Sequence, residues 1–309
     1  MITIFKNTNN KLETIGSPSE GCWVSVVDPT NQEVVQIGEW GIPPDFITHS
    51  LDMNERARTE RNNGIIFIVL RLPYAQGKTA AIPYITVPLG IVLTDKLIVT
   101  ICREETSVIQ EFATGQVHGL STVKKNRFVL QLLLRTADQY LNYLRDIDTS
   151  VDALEERLYR SLQNKEVREL LKYQKSLVYF TTALKSNEFM LERLQKTQLF
   201  QAYPEDVDLL DDVLIEIRQA IDVTAISENI LSQMMDAFAS IISNNLNVVM
   251  KFLTSVTIVI SLPTLIASLY GMNVRLPGQE HPYAFSLTLV ISLITSLAVV
   301  IIFWKKNWL

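Results

Sequence analysis

The sequence predicts an α+β membrane protein, in which long stalk helices join an N-terminal α/β domain to a C-terminal transmembrane hairpin of two helices. Three observations lead to this class. Residues 1–120 alternate short apolar runs with helix-like segments, residues 121–248 carry apolar residues at helical spacing, and residues 249–309 contain two long apolar runs. We take these three ranges as the domains of the chain, and we place the start of the stalk helix in the second.

The N-terminal range is expected to form a mixed sheet with helices. Its short runs of β-branched and aromatic residues are bounded by turn signals such as Asp28-Pro29 and Thr94-Asp95-Lys96, which is typical of strands. The strand that begins at residue 64 is expected to end at Pro73. The predicted strands cover residues 23–27, 64–70, 85–93 and 97–101, and the predicted helices cover residues 31–38 and 45–53. The pattern does not give the strand order.

The middle of the chain has a different texture. Residues 121–201 contain neither proline nor glycine, and leucines recur at positions 130, 133, 134, 141 and 144 and again at 154, 158 and 162. This spacing predicts two long helices with a break near Gln163-Asn164.

A third helix is predicted to begin at Pro204, because proline and acidic residues are favoured in a first turn. Only Pro263 interrupts the helical pattern before residue 269. A helix of about 65 residues is about 100 Å long, and this one passes from water directly into the membrane. One face carries apolar residues in steps of three and four: Leu210, Leu214, Ile217, Ile221, Leu231, Met235, Phe238 and Ile242.

Two apolar runs near the C-terminus, residues 252–274 and 282–304, contain no charged residue. Each exceeds the roughly 20 residues that cross a bilayer as a helix, so we place the spans at about 249–270 and 284–304. Lys251 precedes the first span, Lys305 and Lys306 follow the second, and the connecting loop carries Arg275 and Glu280. The positive-inside rule then predicts a multi-pass protein of the cytoplasmic (inner) membrane, with both termini in the cytoplasm.

Composition argues against several functions. The net charge is −5, and the short basic clusters at residues 56–61 and 124–127 are flanked by polar residues, so no nucleic-acid partner is expected. Two cysteines, Cys22 and Cys102, favour a reduced, cytosolic setting. His49, His118 and His281 are widely spaced, and the sequence has no glycine-rich phosphate loop. We therefore expect neither an enzyme nor an organic cofactor.

One stripe of the first span is polar. Hydroxyl groups in lipid should meet water or another helix, so one interpretation is a pore wall formed by several copies, since one hairpin cannot enclose a channel. The alternative is that these groups bond to carbonyls of their own helix or pack against a neighbour, and the hydroxyls of the second span keep both interpretations open. The stripe contains Asn247, Met250, Thr254, Thr257, Ser261, Thr264 and Ser268.

The same span indicates that a transported cation would keep its hydration shell. No charged side chain lies between Phe252 and Val274, so a dehydrated divalent cation would find no carboxylate to replace its water. Mg²⁺ gives up its hydration shell reluctantly. A path of hydroxyl and amide oxygens therefore fits hydrated Mg²⁺, although it does not exclude Co²⁺, Ni²⁺ or Zn²⁺.

The loop between the spans begins with Tyr270-Gly271-Met272-Asn273, and the chain closes with Lys-Lys-Asn-Trp-Leu at residues 305–309. Together with residues 247–253 before the first span, these motifs resemble the CorA family of magnesium channels. The motifs match over residues 204–309, and the order of the domains is compatible along the whole chain.

The resemblance implies a homopentameric funnel in membrane lipid that takes up Mg²⁺ through a pore along the first spans. Gly271 and Asn273 would bind the hydrated divalent cation at the outer mouth, and Tyr270 and Met272 would pack this motif. Thr264 would form a polar ring inside the pore.

The resemblance also implies a gate and a regulatory site. Met250 and Leu253 would form a hydrophobic constriction, and Asn247 would lie at the inner mouth. Asp212 and Asp236 would hold regulatory Mg²⁺ between subunits, which would keep the pore shut, so that Mg²⁺ is both substrate and regulatory ligand. The chain departs from the family pattern in residues 74–79, which contain no acidic partner for Asp212.

Two other functions remain open at this stage. One is a transporter of Zn²⁺, Co²⁺ or Ni²⁺ from the same superfamily, including a proton-coupled one. In that case Glu280 and His281 would be soft-metal capture groups, and otherwise they are solvated loop residues. The other is a membrane-anchored helical scaffold without transport, against which the polar stripe argues.

Overall fold

The computed structural model describes residues 1–8, 11–160, 164–197, 200, 203–274, 277–278, 282–306 and 308. The chain divides into two compact units, Met1–Met234 and Met235–Leu309. The domain boundaries at residues 120 and 248 stay predictions.

The first unit contains one mixed sheet of seven strands in the order β2-β1-β3-β7-β6-β5-β4. Among these strands β3 and β7 pair in parallel, and the other neighbours are antiparallel. The mixed sheet and the hairpin of β6 and β7 are therefore confirmed. The strands are β1 Ile2–Thr8, β2 Lys11–Ile15, β3 Cys22–Val27, β4 Arg58–Asn62, β5 Ile65–Ala75, β6 Tyr84–Leu93 and β7 Leu97–Cys102.

Seven helices lie in the described part of the chain. The two short helices predicted before residue 54, the two long helices and the stalk helix are confirmed, and α3 was not predicted. Residues 161–163, where the break between the long helices was expected, lie outside the described residues. The helices are α1 Asn31–Glu39, α2 Pro44–Leu51, α3 Ser107–Ala113, α4 Lys125–Arg160, α5 Asn164–Lys196, α6 Pro204–Tyr270 and α7 Ala284–Lys305.

The sheet separates two apolar layers. Side chains alternate across a strand, so Phe67 and Val69 of β5 pack in the same cluster as residues of α1 and α2. On the other face, the Trp23 ring lies against Phe112 and Phe128, and α4 and α5 cover β5 and β6. The first unit is thus a three-layer α/β/α sandwich.

The contact of α2 with the sheet requires a glycine. A Cβ atom on Gly90 of β6 would lie 1.7 Å from Ser50 Oγ. Ser50 is fully buried, and its hydroxyl donates to Phe46 O at 2.5 Å. No larger residue fits at this position without moving α2.

The expected end of β5 at Pro73 is wrong, because the strand continues to Ala75. The last pair between β4 and β5 joins Arg58 to Val69, so β5 has a free edge beyond that point. The N–H of Arg71 points to this free edge, where it donates to Asn187 Oδ1, and not to β6. Backbone groups two residues apart point to the same side of a strand, so the nitrogen of Pro73 also faces the free edge. Pro73, which lacks an N–H, therefore removes no bond from the ladder.

A side chain of α5 completes this free edge. Asn187 is fully buried. Its Oδ1 accepts from Arg71 N at 2.9 Å, and its Nδ2 donates to Arg71 O at 2.9 Å, as a neighbouring strand would. Tyr140 of α4 also donates to Arg71 O at 2.9 Å. Both long helices are therefore attached to the sheet at one residue.

We expect Asn187→Leu to destabilise the first unit by about 3 kcal/mol, because it removes two hydrogen bonds and leaves a buried N–H without a partner. The matched control is Asn142→Leu on the exposed face of α4, which should change stability by less than about 0.5 kcal/mol. Thermal unfolding of the purified full-length protein, followed by circular dichroism, measures both. Equal midpoints for the two variants would contradict the proposed attachment.

The second unit contains the C-terminal part of α6 and the antiparallel helix α7. In α6, Ser255 is buried, and the residues that follow on the same face, including Val259 and Ile266, are half-buried. In α7 the half-buried positions recur every three or four residues and include Ala284, Thr288, Ser292, Thr295, Ser296, Val299, Val300 and Phe303. These two faces pack against each other.

Pro263 lies inside α6 without ending it. A proline at this position cannot donate to the carbonyl of Val259, four residues earlier. Ser296 of α7 donates to that carbonyl at 3.5 Å. A neighbouring hydroxyl thus replaces part of the bond that the proline removes, which is how membrane helices tolerate proline.

Candidate functional site

The polar stripe of α6 lies on its exposed face. All seven members from Asn247 to Ser268 are exposed in the single chain. At about 100° per residue, their directions fall within one narrow arc, nearly opposite the arc of Ser255, Val259 and Ile266. The stripe therefore does not pack against α7, and it is free to face water or other copies of the chain.

The hydroxyls of the stripe also bond to their own helix, as the alternative interpretation predicts. The groups of Thr257, Ser261 and Thr264 donate to the carbonyls of Leu253, Thr257 and Ile260 at 2.8, 2.7 and 3.0 Å. A hydroxyl has one proton and two lone pairs. Because the proton is used within the helix, each oxygen presents only acceptor capacity to its surroundings.

Thr288 and Ser292, two hydroxyl residues of α7, lie on the helix face toward α6 and not on an exposed face. Thr288 and Ser292 donate to the carbonyls of Ala284 and Thr288, both at 2.9 Å, and both are half-buried on the face toward α6. They are small polar residues at a helix–helix contact, which membrane helices favour. They therefore do not form a second exposed stripe.

The Gly-Met-Asn motif follows directly on the last residue of α6. Gly271 N donates to Ala267 O at 2.9 Å, and Met272 N donates to Leu269 O at 3.3 Å. A Cβ atom on Gly271 would lie 3.3 Å from Ala267 O, so the turn is tight there. Tyr270, Gly271, Met272 and Asn273 are all exposed, which leaves the Asn273 amide accessible at the end of the stripe.

The predicted constriction lies at the other end of the stripe. Met250 and Leu253 are 53% and 57% exposed in the single chain. Their neighbours Leu246, Val249 and Phe252 are exposed as well. Asn247 and Lys251 are the polar residues of these two turns, and the single chain buries none of the five apolar side chains around them.

Asp212 lies in a cleft of about 470 Å³ in the first unit. Arg127 and Arg135 line the same cleft, as do Glu205 and Asp208. Arg127 pairs with Glu205 and also with Asp206 at 3.1 Å, and these pairs fix the start of α6 on α4. Within the described residues, no three side chains of the types His, Cys, Asp and Glu come together as metal ligands.

Asp236 belongs to the second unit and is exposed. The single chain therefore does not test a shared metal site of Asp212 and Asp236. Glu280 and His281, the candidate soft-metal groups, lie outside the described residues, as do Arg275, Asn307 and Leu309.

The apolar face at the start of α6 is buried against other helices of the same chain. Leu210, Leu214, Ile217 and Leu231 are buried in the first unit. Polar contacts accompany them: Arg218 of α6 pairs with two glutamates of α5 at 3.0 Å. This part of the apolar face is therefore buried by the helices of its own chain.

A partly buried polar contact joins α6 to α4. Ser227 Oγ donates to Asp148 Oδ1 at 2.9 Å. Burial raises the pKa of Asp148, and the nearby charge of Asp152 acts in the same direction, whereas the Ser227 hydrogen bond lowers it. No sequence pattern predicts this contact, because serine and aspartate are both common on solvated helix faces.

An α/β domain continued by a 67-residue helix into a hairpin with an exposed polar stripe has the architecture of a membrane transport protein. The described helices include two, α6 and α7, that are long and apolar enough to cross a membrane. The sequence model of the family described as "CorA-like Mg2+ transporter protein" matches residues 18–306. The chain belongs to this family, and it is a membrane protein of a family that transports Mg²⁺.

Individual relatives agree with this assignment. The cobalt/magnesium transport protein CorA of Methanocaldococcus jannaschii is 26% identical over 298 residues, which cover 93% of this chain and 91% of the relative. The protein of the same name from Thermotoga maritima is 24% identical over 293 residues, covering 93% and 83%.

A solved structure confirms the predicted fold class. The complete CorA magnesium transporter from M. jannaschii superposes with a TM-score of 0.86 at 23% identity, covering 100% of this chain and 99% of that one. The order of an N-terminal α/β domain, long helices and two C-terminal apolar helices is therefore confirmed.

Proposed function

We propose that five copies of the chain form a channel for Mg²⁺ uptake across the cytoplasmic membrane, with the stripe of α6 lining the pore. The observation that carries this proposal is the direction of the stripe, which is exposed and faces away from α7. Hydroxyl groups directed away from α7, the other candidate membrane helix among the described residues, need water or symmetry mates around them. A ring of subunits supplies both.

The hydrogen bonds of the stripe favour a hydrated cation. The water molecules around a cation direct their protons outward, so they need acceptors. Thr257, Ser261 and Thr264 offer oxygen lone pairs but have already used their protons. An anion, whose water shell offers acceptors outward, finds few donors on this wall. Mg²⁺ fits best, because it holds its water more firmly than larger divalent cations.

The ends of the stripe have separate roles in this proposal. Asn273 and Gly271 form the outer ring that first accepts the hydrated ion, with Tyr270 and Met272 holding the motif in place. Met250 and Leu253 form an apolar neck that opens only when it is wetted. Both termini lie in the cytoplasm, on the side of Lys251, Lys305 and Lys306.

The proposed regulation by internal Mg²⁺ depends on contacts between subunits. Mg²⁺ between subunits would offset the repulsion among Asp212 and Asp236 carboxylates and so hold the pore shut. In the single chain Asp212 shares its cleft with Arg127 and Arg135. Any metal at Asp212 would therefore have to bind on the side away from these two cations.

The stripe is tested by removing its acceptors. The triple variant Thr257→Val, Ser261→Val and Thr264→Val should lower Mg²⁺ flux into proteoliposomes by at least about tenfold, since bonds to charged groups contribute about 1.5–3 kcal/mol each. Thr257→Ser with Thr264→Ser keeps the acceptors and should retain flux.

The matched control is Ser286→Val, on the exposed face of α7. It makes the same chemical change in the same membrane unit but off the stripe, so its flux should equal that of the parent. Parental flux through the triple valine variant would contradict a pore lined by this stripe.

A further inference from the structure

The hydrogen bond between α6 and α7 sets which residues share a depth in the membrane. Ser296 Oγ contacts Val259 O at 3.5 Å, and the two helices run antiparallel. Eight residues along a helix cover about 12 Å. Lys251 of α6 therefore lies level with Trp304 of α7, and Lys305 and Lys306 follow within a few ångströms.

Along the sequence, few acidic side chains lie near these three ammonium groups. The nearest acidic side chain before Lys251 is Asp236, and apart from Glu280 none occurs in residues 237–309. Fifteen residues of helix separate Asp236 from Lys251 by about 22 Å, which exceeds the screening length at physiological salt. Lys251, Lys305 and Lys306 are exposed, and no ion pair joins them to any described residue.

Aromatic rings define the depth of this patch. After α7 the chain turns back, so that Trp308 N donates to Phe303 O at 3.0 Å and the Trp308 ring stacks on Phe303 at 5.5 Å. Trp304 is 72% exposed. Tryptophan at a membrane edge lies at the level of the lipid headgroups, and a lysine beside it extends its ammonium group toward water.

We infer that Lys251, Lys305 and Lys306 with Trp304 and Trp308 form a binding site for the headgroup of an anionic phospholipid. A phosphodiester with net negative charge supplies a counter-ion for these exposed lysines, and its acyl chains cover the apolar flank of α7. Free phosphate has no such chains, so the lipid is the ligand. The inference takes from the proposed function only that the hairpin spans a bilayer.

The two tryptophans make the site measurable. The full-length protein is reconstituted in phosphatidylcholine vesicles that contain increasing fractions of either dibrominated phosphatidylglycerol or dibrominated phosphatidylcholine. Bromine quenches nearby tryptophan fluorescence. Each lysine near an anionic surface favours the anionic lipid by about fivefold, so the brominated phosphatidylglycerol should quench at several-fold lower mole fraction than the brominated phosphatidylcholine.

The variant with Lys251→Gln, Lys305→Gln and Lys306→Gln should bind both lipids equally. The control with Lys175→Gln, Lys185→Gln and Lys196→Gln, all on the exposed surface of α5, should keep the preference. Equal quenching by the two lipids in the parent, or a preference that survives the first triple variant, would overturn the inference.

Two further arms separate the alternatives. Loss of the preference on adding inorganic phosphate, at an ionic strength matched with sodium chloride, would mean a free-anion site and would also overturn the inference. Mg²⁺ flux is measured on the same vesicles. A lipid preference without flux would leave the site standing and remove the channel, and flux without a lipid preference would do the reverse.

Discussion

Asn273→Ala should reduce Mg²⁺ flux by at least about 100-fold while the assembled protein keeps its mass. Asn273 lies in the turn that follows α6 and is exposed, and a ring of subunits would present its amide oxygen several times to one hydrated ion. Hydrogen bonds to charged species contribute about 1.5–3 kcal/mol each, so the loss of the ring removes more than enough binding energy for this effect. Flux is measured in proteoliposomes with an entrapped Mg²⁺ indicator.

Two further variants sharpen the result. Asn273→Asp should also impair flux, because a ring of carboxylates binds divalent cations too tightly for release. Asn54→Ala replaces an exposed asparagine of the first unit and should leave flux unchanged. Normal flux through Asn273→Ala would remove this residue from the pathway.

Leu253→Asn should raise Mg²⁺ flux at high internal Mg²⁺, where the parent is expected to be quiet. A ring of leucine side chains makes a narrow apolar neck, and a hydrated divalent cation meets a high free-energy barrier at such a neck when it contains no water. An amide at this position supports water. An increase of at least about tenfold, equivalent to about 1.4 kcal/mol of barrier, is expected.

The same assay on Asp212→Ala separates the neck from the regulatory site. If stalk carboxylates sense internal Mg²⁺, this variant should remain active at concentrations that close the parent. If they do not, only the neck variant will differ. Flux that stays suppressed in Leu253→Asn would place the barrier elsewhere, for example at Ile260 or in the cytoplasmic funnel.

The sequence predicted those parts of the fold that depend on long periodic patterns. The stalk helix from Pro204 and the two apolar spans each repeat one spacing over several turns, so local irregularities did not hide them. Strand β4 was missed because Arg58–Asn62 is polar throughout. An edge strand needs no apolar face when its backbone bonds supply the pairing.

Contacts between distant segments explain the other differences. From the sequence alone, Pro73 predicts the end of a strand. The strand continues because β4 ends opposite Val69 and because Asn187, more than a hundred residues later, bonds to the free edge of β5 at Arg71. Pro263 was predicted to lie inside a continuous helix, but its compensating contact, Ser296 beside the Val259 carbonyl, was not predicted. No local pattern carries this information.

In the candidate site, too, the periodic pattern was predicted from the sequence and the contacts were not. Helical spacing placed Thr257, Ser261 and Thr264 on one stripe, and the structure shows that this stripe is exposed. The sequence could not decide between bonds within the helix and a free polar wall. The structure shows both, since a hydroxyl can donate to its own helix and still accept from outside. The roles of Asn273, Met250 and Asp212 depend on neighbouring subunits, so they stay predictions.

The central proposal is that this chain conducts hydrated Mg²⁺ along the stripe of α6. The most direct measurement follows uptake of Mg²⁺ and of Zn²⁺ into proteoliposomes that contain indicators for both metal and pH, with and without a pH gradient. The stripe of α6 contains no carboxylate, histidine or lysine that could carry a proton. We therefore predict that Mg²⁺ enters at the same rate with and without the gradient and that the lumen does not acidify. Uptake of Zn²⁺ that requires the gradient, with no entry of Mg²⁺, would contradict the account.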